Sequence, residues 1–207
     1  MADEEHDKEG RPQDRGQARR EAFLAAAREV FLRRGYRAAS VNEVVRIAGG
    51  SLATLYQQFG NKEGLFHAFV LDQHARFTAD MAPESVDHLQ LEDGLRAIGE
   101  RYLSNLLKPE TLAFYRLVVS EGMQFPEDAR RDVSAGAGDV RRLVSDFLAA
   151  HGGPAAESAR HPDMLLELWR SRYHMRAIID GGPTPSEDEV KRHIGQCVDV
   201  FLHGIKR

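Results

Sequence analysis

The chain has 207 residues, 42% of them hydrophobic, with no apolar run long enough to span a bilayer and no signal-peptide pattern at its acidic start. It reads as a cytoplasmic protein of one or two helical domains with no membrane partner, and its single cysteine, Cys197, excludes a disulfide framework within the chain. The net charge of -4 is unevenly spread: Arg15 to Lys62 hold nine basic and three acidic residues, a local +6, while residues 1–14 carry -4 and residues 63–207 carry -6. A basic module on an acidic body is the footprint expected when one end of a protein meets phosphates.

In chain order, residues 1–15 are charged and nearly free of apolar side chains, which predicts a disordered tail. Arg11, Arg15, Arg19 and Arg20 would form either an arm along a DNA groove or a solvated tail; Asp14 and Glu21 among them favour the tail. A first helix is predicted from Gln17 to Arg34, with Phe23, Ala27, Val30 and Phe31 on one face and Gly35 as its C-cap. Ser40 followed by Glu43 has capping-box spacing and starts a helix at Val41, whose stripe is Val44, Ile47 and Ala48. Gly49-Gly50 permits the positive φ of a tight turn. Ser51 caps a short helix from Leu52 to about Gln58, ended by Phe59-Gly60. Two short helices joined by a glycine turn describe a helix-turn-helix, whose second helix enters the major groove by its N-terminal end.

Asn61 is placed to cap a fourth helix through Phe77, ending before Pro83. Beyond it, proline and glycine divide the chain into further helices. Leu91 to Leu106 form one helix, Pro109 to about Gln124 the next, and Pro126 opens another that carries Val140, Val144 and Phe147, weakened by Gly136 and Gly138. Asp163 to Asp180 form a strongly apolar helix. A second capping box at Ser186 and Glu189 starts the last, Glu187 to Lys206. The expectation is an all-α chain: a tail over 1–15, a three-helix helix-turn-helix DNA-binding domain over 16–62, and a helical bundle for ligand binding and dimerisation over 63–207.

The string Gly49-x-Ser51-x-Ala53-Thr54-Leu55-Tyr56-x-x-Phe59-x-Asn61-Lys62-Glu63-x-Leu65-Phe66 resembles the signature of the tetracycline-repressor (TetR/AcrR) family of bacterial transcription regulators, over roughly residues 17 to 70. Two positions depart from the usual pattern: Gly50 stands where the family usually has valine, and Leu52 where a polar or basic residue is common. The block from Lys108 to Glu127, with the last two helices, is similar to the C-terminal domain of the AefR-like branch. The resemblance implies a one-component regulator, most often a repressor, released from a palindromic operator when a small molecule enters the C-terminal domain.

Candidate DNA-binding residues follow from position on the short helix and the one before it. Ser51, Leu52, Ala53 and Thr54 lie at the end that reaches base edges or the nearest phosphates. Gln57 and Gln58 have the amide geometry that suits adenine, and Leu52 and Ala53 suit a thymine methyl. Ser40 and Asn42 begin the preceding helix. By resemblance Asn42 reaches DNA, and Tyr56 and Lys62 bind phosphate. Candidate ligand-binding residues are Tyr102, Phe114, Tyr115, Met123, Phe125, Trp169 and Tyr173, with Met164 and Met175 beside them, and point to an apolar or aromatic effector.

A homodimer is expected through the last two helices, using Leu166, Trp169, Tyr173 and Ile178 on one and Val198, Phe201, Leu202 and Ile205 on the other. Nine histidines show no HExxH and no Cys/His quartet, and no GxSxG, P-loop or Rossmann fingerprint is present. No enzyme activity, metal or cofactor is expected. Two other classes remain open: an architectural DNA binder without effector control, and a helical ligand-binding protein.

Overall fold

The computed structural model describes residues 12–81, 86, 88–151, 161–181 and 184–204. These residues form helices and connecting turns, with no strand among them. The chain divides between Phe69 and Val70 into two compact units, so the division falls inside a helix rather than ahead of it.

The first unit holds helix α1 (Pro12–Ala38), α2 (Val41–Ala48), α3 (Leu52–Phe59) and the first part of α4 (Lys62–Met81). Helix α1 starts five residues before the predicted Gln17, and the expected disorder of residues 1–11 lies outside the described residues. Its regular winding stops at Gly35, with φ 80°, where the sequence places a C-cap. Phe23, Ala27, Val30 and Phe31 of α1 are fully buried, with Val44 of α2, Leu55 of α3 and Phe66 and Phe69 of α4. The Phe31 ring meets Phe66 edge-to-face at 4.9 Å and Phe23 meets Phe59 edge-to-face at 6.3 Å, so aromatic pairs from three helices fix the small core.

The expected capping box at the start of α2 does not form. Ser40 holds the extended N-cap conformation but its side chain caps nothing. Glu43 instead reaches Arg33 at 2.6 Å, with Arg34 at 3.7 Å and Arg46 at 4.0 Å around it. A carboxylate among three guanidiniums gains more from charge-assisted hydrogen bonds than from a neutral backbone N–H, so the local sequence motif loses to α1.

The second unit contains the rest of α4, then α5 (Leu91–Leu106), α6 (Pro109–Glu121), a 3-10 turn (Gly122–Gln124), α7 (Glu127–Ala135), α8 (Ala137–Ala150), α9 (Pro162–Ser171), α10 (His174–Asp180) and α11 (Glu187–His203). The single helix expected after Pro126 is two, parted at Gly136. The helix expected from Asp163 to Asp180 is also two, parted at Arg172 and Tyr173 without glycine or proline. At that break Tyr173 packs edge-on against His193 of α11 at 5.2 Å, and His174 against Tyr115 of α6 at 4.6 Å. Consecutive residues thus serve two different neighbouring helices, a demand that no local pattern encodes. Arg116 of α6 closes α10 by donating to the carbonyls of Ala177 (2.7 Å) and Ile178 (3.0 Å), satisfying acceptors that a helix end leaves open.

The capping box at Ser186 is present in full: Glu189 N–H donates to Ser186 Oγ at 3.3 Å, and Ser186 N–H to Glu189 Oε2 at 2.9 Å. The core of this unit is built around Trp169, with Leu95, Leu103, Leu148, Leu165 and Ile194 also fully buried. Helix α5 approaches Trp169 at Gly99, where an added Cβ would lie 2.7 Å from the indole ring and 2.8 Å from Ile194. Only glycine permits that approach.

The predicted dimer residues fare differently on their two helices. Leu166, Trp169, Ile178 and Val198 are buried within their own subunit, so these four are core and not interface. Each sits on the stripe that its helix turns toward the rest of the unit, and one apolar stripe cannot serve both core and partner. Tyr173, Phe201 and Leu202 are half-buried, and Ile205 lies outside the described residues.

Candidate nucleic-acid interface

The reading helix is held by its ends. Ser51 Oγ accepts from Thr54 N–H at 3.1 Å and lies 2.9 Å from the Thr54 hydroxyl, so the cap takes up one of the N–H groups that a helix start leaves open. Ahead of it, Gly49 (φ 73°) and Gly50 (φ 96°) turn the chain through conformations that side-chain-bearing residues avoid. A Cβ on Gly50 would meet Phe23 Cζ at 3.3 Å and Arg19 Nη1 at 3.5 Å, so the valine usual at this position in the family would be strained and crowded here.

Two adjacent arginines of α1 serve the carbonyl ends of both helices. Arg19 Nη1 donates to Ala48 O, the last residue of α2, at 3.3 Å. Arg20 Nη1 donates to Gln58 O near the end of α3 at 3.4 Å, with its guanidinium 4.5 Å over the Phe59 ring. Positive charge at a helix C-terminus is favourable, and the stacked guanidinium adds a cation–π contact. The sequence assigned these arginines to a groove arm or a solvated tail; the structure uses both to join α1 to the helix-turn-helix, and Arg11 lies outside the described residues.

With Leu55 and Phe59 buried, α3 presents Ala53, Tyr56 and Gln57 outward, and Tyr56 is 45% exposed. Ser40, Asn42 and Ser51 are also exposed, while Leu52 and Thr54 are half-buried. These residues are together at one end of the unit through the α2–α3 turn. Gln58 is set apart: its amide donates to Gly16 O of α1 at 3.5 Å, so it faces the scaffold. Lys62 is also engaged, donating to Arg37 O at 3.0 Å with its ammonium 5.1 Å over the Tyr36 ring. Burial, aided by Glu63, raises the Tyr36 pKa and keeps the phenol protonated. Asn61 Oδ1 accepts from Gly64 N–H at 2.8 Å and caps α4 as expected.

The candidate ligand-binding residues are dispersed in the second unit. Met123, 87% exposed, projects from the 3-10 turn, and Phe125 beside it is buried. Trp169 is fully buried against Gly99 and Ile194. Tyr102 and Trp169 have ring centroids 6.1 Å apart, Phe114 and Tyr115 6.3 Å, and Tyr173 meets His193. Sequence reasoning passed over His174, which is 3% exposed against the Tyr115 ring and whose pKa burial pushes down to about 4. Its place in the apolar stretch between Tyr173 and Ile178 was the available signal. Among the described residues no helix is long and apolar enough to cross a membrane, and no three His, Cys, Asp or Glu side chains gather as a metal site.

Comparison with known proteins matches both units. Residues 23–69 fit the sequence profile of the bacterial regulatory proteins of the tetR family, and residues 93–204, more than half of the chain, fit the AefR-like transcriptional repressor C-terminal domain. The HTH-type transcriptional repressor ComR of Escherichia coli is 46% identical over 61 residues, 29% of each chain, so that likeness spans less than a third of the relative. Among solved structures, a putative TetR-family regulator from Mesorhizobium loti superposes with a TM-score of 0.78 at 24% identity, covering 91% of this chain and 96% of its own. The flavonoid-responsive regulator FrrA superposes at 0.72 with 25% identity, covering 90% and 96%. A capped reading helix on an arginine-braced turn, followed by a helical unit matched over most of its length, therefore places the chain in the TetR family as a DNA-binding transcriptional regulator.

Proposed function

We propose that the protein is a cytoplasmic homodimeric repressor that leaves a palindromic operator when a small molecule binds its C-terminal unit. The observation that carries this is the outward face of α3: Ala53, Tyr56 and Gln57 project beside the Ser51 cap while Leu55 and Phe59 anchor the helix from behind. Ala53, Gln57 and Asn42 face base edges, with Leu52 against a thymine methyl. Ser40, Ser51, Thr54 and Tyr56 meet phosphates, and Lys62 adds positive charge while holding the Arg37 carbonyl. Gln58 is left out because of its bond to α1. The repressor named ComR and the flavonoid-responsive FrrA support repression and effector control by analogy.

One helix-turn-helix reads few base pairs, so two copies must be held about 34 to 36 Å apart to read successive major grooves. Met164, Met175, Ile179 and Val200 are the large apolar residues still exposed on α9, α10 and α11, and they form the dimer contact with half-buried Phe201 and Leu202. Effector control then requires two states with different spacing, and a ligand shifts them only by binding one better.

Gel shifts with DNA upstream of the protein's own gene test the reading. A retarded complex that footprints as two half-sites is expected, and Val200→Glu should yield monomers in sedimentation and lose the complex. A wild-type monomer at micromolar concentration that still binds the same DNA tightly would refute the dimeric mechanism.

A further inference from the structure

Glu43 of α2 sits beneath three guanidiniums. Arg33 lies at 2.6 Å, Arg34 at 3.7 Å and Arg46 at 4.0 Å, and the Glu43 side chain is 17% exposed against 55% for Arg34 and 74% for Arg46. The acid is sunk and the bases stand outside it, so this surface shows positive charge to solvent. In the second unit the balance runs the other way: Arg96 is shared by Glu92 and Asp199, and Arg131 by Glu127 and Asp128.

The three arginines are not equivalent. Arg33 is held between two carboxylates, Glu43 and Glu29 at 3.2 Å, which neutralise it and tie α1 to α2. Arg34 and Arg46 reach Glu43 only at the outer limit of an ion pair, too far for a hydrogen bond, and exposed pairs of that kind add little to stability. Both guanidiniums are thus left to a stronger acceptor, and their planar fork suits phosphate oxygens.

Their place in the unit names the partner. Arg46 is one turn beyond Asn42 on α2, and both are exposed, so they share a face of that helix. Helix α2 is the first of the helix-turn-helix, the one that crosses the DNA backbone when the second lies in the major groove. Arg34 ends the regular part of α1, just ahead of Gly35, and is drawn to the same carboxylate as Arg46.

We infer that Arg34 and Arg46 bind backbone phosphates of DNA beside the reading helix, with Glu43 and Arg33 as the tie that sets them side by side. These two contacts extend the surface assigned above and rest on the reading of α3 as the helix in the groove.

Titrating the full chain with a random-sequence duplex at several salt concentrations tests them without knowledge of the operator. Arg46→Ala and Arg34→Ala should each lower the slope of log affinity against log salt by about one, and the double variant by about two. Between about 50 and 200 mM salt, each arginine removed should make the loss of affinity about three- to fourfold smaller. Arg46→Lys should keep the wild-type slope, because a phosphate contact needs the charge, and so should Arg131→Ala in the second unit. Arg46 is the most exposed of the three and the farthest from Glu43, so Arg46→Ala decides the matter if Arg34→Ala fails to fold. A wild-type slope in Arg46→Ala, or a slope lowered equally by Arg131→Ala, would overturn the inference. So would variants that keep the slope but dissociate in sedimentation, which would seat a second copy of the chain on these arginines. A wild-type slope in both variants, with preference for the upstream DNA lost in Gln57→Ala, would refute these contacts and leave the reading of α3 standing. A wild type whose affinity does not respond to salt would refute both.

Discussion

The two units differ in where their polar groups find partners. In the DNA-reading unit, structural polar groups are matched by a partner a few residues or one helix away: Ser51 caps α3, Asn61 caps α4, and Arg19 and Arg20 close the carbonyl ends of α2 and α3. In the second unit, the buried His174 Nε2 and Trp169 Nε1, on neighbouring helices, have no hydrogen-bond partner among the described residues. A helix held at both ends by partnered groups is fixed in place, whereas a buried polar atom without a partner costs its unit stability. The contrast teaches that the same helical architecture is tuned by where its polar groups find partners.

The strongest way to break this contrast is at the tight approach of α5 to Trp169. Gly99→Ala places a Cβ 2.7 Å from the indole, so the second unit should lose about 3 kcal/mol, the upper end for overpacking a filled core, seen as a lower urea midpoint. A midpoint within error of wild type would mean the helices part easily there.

In the first unit the comparable lesion is Gly50→Val, which restores the residue usual in the family. Here φ is 96° and Phe23 is 3.3 Å from the new Cβ, so a loss of about 1–3 kcal/mol and weaker operator binding are expected. A neutral or stabilising outcome would show that α1 and the turn adjust together.

The next test is the pH response of the buried His174. The folded pKa of His174 is pushed down to about 4, below its ordinary 6.5, mainly by burial with help from Arg170. The unfolded chain therefore binds the proton more strongly. The stabilising effect is fully present above about pH 6.5 and is lost as pH falls toward 4, an effect of about 1–2 kcal/mol once partial solvation is allowed for. Urea titrations of wild type and His174→Gln at pH 7 and pH 5 check it: the wild type should lose more stability on acidification than the variant, and parallel losses would argue against a buried neutral imidazole.

The smallest effect sharpens the contrast inside the reading unit. Ser51→Ala removes a cap in use and should cost about 1 kcal/mol, while Ser40→Ala removes a hydroxyl that caps nothing and should stay within about 0.5 kcal/mol. Comparing the two melting midpoints decides it; equal losses would restore a capping role to Ser40.

The reading unit was largely legible because its signals are local. Ser51, Gly49-Gly50, Asn61 and the stripe of α1 act within four residues of themselves, and each does what its residue type dictates. The capping box at Ser186 was read correctly for the same reason, and the one at Ser40 failed because Glu43 found arginines ten residues away and nearer.

In the second unit, apolar stripes established that helices exist and roughly where they begin, but one stripe describes core, pocket and interface alike. Only packing showed that Leu166, Trp169, Ile178 and Val198 are interior while Met164, Met175 and Val200 stay exposed. What the sequence by itself determined is the all-α class, the helix-turn-helix and the Ser51 cap of its second helix, because these depend on backbone geometry and near neighbours. The break at Tyr173, the arginine braces of α1 and the edge-on contact of His174 with Tyr115 were decided by tertiary structure, because each depends on side chains far apart in sequence that meet only when the helices pack.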